Sequence, residues 1–111
     1  MNATNETVKG VSFNLADNVS YAIGAVVSKT LLKKATGTVT LFSFDAGQGL
    51  SEHMAPFDAM VYVLEGKAVI TIGGKPHEVN GGEMIIMPAN ISHALQAEKQ
   101  FKMLLIMIRS Q

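Results

Sequence analysis

The chain has 111 residues, 48% of them hydrophobic and 16% charged, with nine basic and nine acidic side chains and no net charge. That length and apolar content suit one domain with a real core, and a neutral total argues against the basic face a nucleic-acid binder needs. The absence of cysteine excludes disulfides, a cysteine zinc site and thiol catalysis, and no run reaches the roughly 18 apolar residues that span a membrane.

Residues 1–10 read as a loose polar lead, with Asn2, Thr4, Asn5 and Glu6 and without the cationic start and apolar stretch of a signal peptide. A cytoplasmic protein is therefore expected. Residues 21–32 are rich in β-branched and apolar side chains, and Lys33, Lys34 and Gly37 close the run. Residues 38–44 alternate with period two, the mark of a half-buried strand, before Gly47 and Gly49 break the pattern. Further strands are expected at 60–64, 68–72, 76–79, 84–87, 91–95 and 101–108. Between them stand Glu65 and Gly66, Gly73 and Gly74, Gly81 and Gly82, and Pro88, which are turn signals.

Helical spacing is poor, and turns recur about every 8–12 residues, as in sandwiches and barrels. A single all-β domain over 1–111 follows. The last strand alternates Met103, Leu105 and Met107 with Leu104, Ile106 and Ile108, so both its faces are apolar. Such a strand is expected to be buried on both sides, within a sandwich or between subunits. The seven methionines read as fillers of irregular core space rather than as soft-metal ligands. The paired glycines lack the strand–helix context and the lysine of a phosphate loop, so they read as turns.

Two spaced motifs carry a resemblance. Gly47, five residues, His53, and later Gly66 match the first motif of the cupins; Gly82, five residues, Pro88, and then His93 match the second. Together they cover residues 47–97. The chain thus resembles a small bacterial cupin, which implies a double-stranded antiparallel β-helix, a jelly-roll-like barrel. In that family three histidines and a glutamate hold a divalent metal inside the barrel. Here the second histidine falls at Ala55, the glutamate at Ala59, a glycine at Asn90 and an asparagine at Ala97. Asn90 is a mild change, because asparagine tolerates the left-handed conformation.

The resemblance leaves His53 and His93 as metal ligands, with Asp58 as the candidate third. A bulge or a shifted strand start would turn Asp58 inward, whereas strict alternation from Ala59 places it on the opposite face. Gln48 and His77 are weaker candidates, and Glu83 reads as a turn-stabilising residue. The function implied is binding of a small molecule in a two-histidine pocket, with a divalent transition metal (zinc, nickel, iron, manganese or copper). The alternative is a metal-dependent dioxygenase, isomerase or decarboxylase. The expected partners are a small-molecule ligand and a second copy of the chain, with no nucleic acid and no membrane. Residues 20–32 are the candidate for strand exchange in that homodimer.

Overall fold

A computed structural model describes residues 7–109; residues 1–6 of the expected polar lead lie outside the described residues. After a short 3-10 turn at Ala16–Asn18, nine strands follow: β1 (Val26–Lys34), β2 (Gly37–Phe44), β3 (Gly49–His53), β4 (Ala59–Glu65), β5 (Lys67–Ile72), β6 (Lys75–Asn80), β7 (Met84–Met87), β8 (His93–Gln96) and β9 (Phe101–Ile108). They form two antiparallel sheets of order β1-β2-β9-β4-β7 and β3-β8-β5-β6. The all-β jelly-roll expected from the motifs is the observed architecture.

Alternation along each strand decides what reaches the core. The register sets Phe44 beside Phe101, and Met103 between Phe42 and Val63. Phe44, Phe101, Met103, Val61 and Val63 are fully buried and pack with Ala68, Ile70 and Leu95 of the second sheet. Phe44 and Phe101 stack with centroids 4.4 Å apart and planes 10° from parallel. Offset stacking of this kind adds to the gain from burial alone. Met103 and Met87 sit in this core, as expected of space-filling thioethers.

Turn chemistry explains the strand ends. Gly66, between β4 and β5, has φ +81°, and a Cβ there would strike the Gln100 carbonyl oxygen and the Phe101 Cβ. No other residue fits that turn without backbone movement. After β6, Glu83 Oε1 accepts the backbone N–H of Asn80 at 2.8 Å, so Glu83 does stabilise its turn. β1 starts at Val26, later than the run 21–32 suggests. A turn closed by the Ala25 N–H on the Ala22 carbonyl precedes it, and the Gly24 N–H is held by Asp45 Oδ2 at 2.7 Å.

The outward face of the five-stranded sheet is covered at one end only. Leu41 and Ser43 point outward yet are fully buried, because the segment before β1 crosses them like a strap. Ser43 Oγ donates to the Ser20 carbonyl at 2.8 Å, and Lys102 Nζ donates to the Ala16 carbonyl at 2.5 Å. The Lys102 ammonium lies 5.0 Å from the centroid of Tyr21, whose hydroxyl donates to Glu65 Oε2 at 2.7 Å. Burial, reinforced by the Glu65 hydrogen bond and charge, pushes the Tyr21 phenol well above its ordinary value. At the far end of the same face the strap is absent. There Ile108 is 62% exposed and Ile86 57%. Strand β9 is therefore fully buried on its inner face at Phe101 and Met103 and partly at Leu105 and Met107, and on its outer face it is covered only near the strap.

Candidate functional site

The two histidines of the motifs meet. They stand on neighbouring strands β3 and β8 of the four-stranded sheet, as register partners. A bulge makes this possible. Leu50 pairs with Leu95 and His53 with His93, so a step of three residues on β3 faces a step of two on β8. In a regular strand an odd step from inward-facing Leu50 would send His53 outward. The extra residue restores its side. His93 is 5% exposed and His53 is exposed, which places the pair at a rim of the barrel rather than deep inside it.

The rings are 4.2 Å apart and steeply inclined, and their Nε2 atoms lie 3.0 Å from each other. His53 Nδ1 is 2.9 Å from the Ser51 carbonyl oxygen, and His93 Nδ1 is 3.4 Å from that of Ile91. A carbonyl accepts and cannot donate, so each backbone contact favours the proton on Nδ1. The two Nε2 atoms face each other, so that either one N–H or a shared cation between them would satisfy both. Burial, and next the charge on His53, pushes the His93 imidazole below its ordinary value, while the Ile91 carbonyl works the other way. The net effect favours the neutral form of His93, the form in which imidazole ligates metal.

Asp58 does not join the pair. Its Oδ1 accepts the backbone N–H of Ala89 at 2.8 Å, which ties the start of β4 to the loop before β8. Alternation holds at this strand start: Ala59 is 3% exposed and inward, Asp58 exposed and outward. Asp58 instead lines a groove of about 480 Å³ on the outer face, beside Phe57, Met60, Ile106 and Arg109. His77 stands on edge strand β6 opposite Ile70, exposed and separated from β8 by β5. The described residues contain no group of three histidine or carboxylate side chains placed to share a metal. Asn90 has φ +64° and donates its N–H to the Ala55 carbonyl at 2.7 Å, so it does occupy the left-handed position and joins the two motif loops.

The sequence profile of the cupin domain matches residues 40–109. The chain belongs to the cupin family. This cupin is similar to a conserved protein of unknown function from Streptococcus pyogenes, at 36% identity and a TM-score of 0.91. That match covers 100% of this chain and 97% of the other. It is also similar to a cupin 2 conserved barrel domain protein from Leptotrichia buccalis, at 47% identity and a TM-score of 0.85. There, 87% of this chain matches 47% of that longer one. An uncharacterized protein of Streptomyces coelicolor is 31% identical over 62 residues, which are 56% of this cupin and 59% of that curated relative.

Proposed function

We propose that this cupin holds a divalent transition metal between His53 and His93 and binds a small organic ligand beside it. The convergence of the two Nε2 atoms carries the reading. With Nδ1–H on the backbone carbonyls, the two rings would set Nε2 lone pairs against each other at 3.0 Å, an arrangement that a cation between them satisfies. A proton would serve, but burial makes His93 a poor base. A metal serves better: zinc–imidazole bonds are about 2.0–2.1 Å, so one ion reaches both nitrogens across that gap. Carbonyl partners on the far ring nitrogens are the usual support for such ligands. Imidazole donors suit zinc, copper, iron and nickel.

With two protein ligands, the remaining positions fall to water or to an oxygen donor on the small molecule. The bound ion would supply Lewis acidity to that oxygen. The alternative enzyme reading, with His53, His93 and Asp58 as a two-histidine, one-carboxylate set, draws no support from Asp58, whose carboxylate is engaged by Ala89 on the outer face. Metal analysis and zinc or nickel titration of protein made without a histidine tag test the site. His53→Ala and His93→Ala are each expected to weaken uptake by about tenfold or more. Uptake in the unaltered protein is expected to decline in acid. Because burial holds His93 below its ordinary value, that ligand is lost only at a pH under the usual histidine value of about 6.5. Unchanged metal content in His53→Ala would sink the assignment.

We also propose that two copies pair through the uncovered end of the five-stranded sheet. The outward row Ile86, Met60, Ile106 and Val39 crosses four strands without a charge. Ile86 is exposed and the other three are partly exposed, and a continuous apolar surface of this kind marks an association site. The expected solution species is a dimer at micromolar concentration, and Ile106→Glu is expected to return it to monomer. Sedimentation equilibrium decides, and a monomeric mass for the unaltered chain overturns the proposal.

A further inference from the structure

Along the β1 edge of the same sheet lies a slot of about 950 Å³ between the strap and β1. Every residue from 27 to 34 lines it. A strand that presents one face to a cavity contributes alternate residues, so an unbroken run means that the slot follows the backbone edge. β1 is the terminal strand of the sheet. Among the described residues its outer N–H and C=O groups have no neighbouring strand, and no backbone hydrogen bond links residues 7–22 to it. The far wall includes Thr7, whose Oγ1 is buried with no hydrogen-bond partner among the described residues.

The slot is also strongly cationic. Lys9, Lys29, Lys33 and Lys34 line it, and among the described residues no acidic side chain does. One of the four ammonium groups, on Lys29, is met by the Asn18 side-chain oxygen at 3.1 Å. In a chain with equal numbers of acids and bases, this gathers four of the nine basic residues around one slot, three of them on β1 itself. Lysine on an edge strand discourages two copies from pairing edge to edge, since β1 against β1 would set lysine against lysine. The bulge between Thr30 and Leu32 works in the same direction. Neither device repels an acidic strand.

We propose that the β1 edge takes an extended acidic peptide segment of another protein as an added strand. Backbone pairing along residues 26–30 would fix the peptide, and its carboxylates would meet Lys29 and, beyond the bulge, Lys33 and Lys34. The half-exposed Leu32 offers an apolar contact between the charges. Backbone hydrogen bonds give such complexes their affinity and alternate side chains their specificity.

The probe is an acetylated, amidated eight-residue peptide alternating glutamate and valine, titrated into the full chain at low salt. Saturable binding is expected, with slowed hydrogen exchange confined to β1 amides, and weakening as salt rises. The variant K33E/K34E, altered at two exposed positions, is expected to keep its melting temperature and lose about tenfold or more in affinity. Equal binding of a peptide N-methylated at alternate residues, or equal competition by free glutamate or inorganic phosphate, would show an anion site without strand pairing and overturn the proposal. So would an absence of β1 protection. A loss of dimer in K33E/K34E would assign the edge to a second copy and overturn it as well.

Discussion

The Ala59→Glu variant is expected to become dependent on metal for its stability. Ala59 is 3% exposed, points inward, and is flanked by Met87 on β7 and Met107 on β9. It occupies the position at which the cupin motif carries a glutamate ligand. A carboxylate placed there without a cation is buried among apolar groups, at a cost of about 3 kcal/mol or more, offset in part by protonation. With the ion in place it completes a third ligand beside His53 and His93. Ligand binding to the native state then adds about 4 kcal/mol at a thousandfold excess over the dissociation constant. Thermal melts with EDTA and with zinc or nickel read this directly. A folded variant whose melting temperature ignores metal would show that the histidine pair and residue 59 do not share a site.

Phe101→Ala is expected to cost about 3–5 kcal/mol, out of a total that for domains of this kind is about 5–15 kcal/mol. The ring is fully buried and stacked on Phe44, and its backbone lies against Gly66, where no side chain is available to fill a void. Urea unfolding monitored by circular dichroism measures the loss. Should the alanine variant fail to fold, Phe101→Leu retains most of the volume and is expected to lose less. A cost under about 1 kcal/mol for Phe101→Ala would mean that the stacked pair is not a principal part of the core.

Much of the architecture was legible because alternation and glycine turns act locally. Residues 84–87 and 101–108 form strands at the bounds the sequence suggests, and the strands at 38–44 and 68–72 begin one residue earlier. β3 was not visible as a strand. Its segment Gly-Leu-Ser-Glu-His carries one apolar side chain, and its bulge breaks the alternation that marks a strand. Yet that irregularity is what aims His53 inward, so the motif located the residue and the fold supplied the reason. For Asp58 alternation was the correct guide, and the shift that would have turned it inward did not occur at β4. The burial of β9 was half legible. Its pattern shows two apolar faces, but not that a strap anchored by Ser43 and Lys102 covers one end of the outer face and leaves Ile108 bare. That cover rests on contacts between residues up to 86 positions apart, beyond the reach of any local pattern.

Strand β9 lies between β2 and β4, in the middle of the larger sheet. Of the nine strands, the last to leave a ribosome is thus the one on which both halves of that sheet must wait. Before it is available, β2 and β4 each carry an unsatisfied edge, and the Phe44 ring lacks its stacking partner. Folding of this barrel is therefore completed only once all nine strands have been synthesised. Pairings over such long separations form slowly and leave exposed edges in the meantime. A stop codon just before β9 would remove a keystone rather than trim a border.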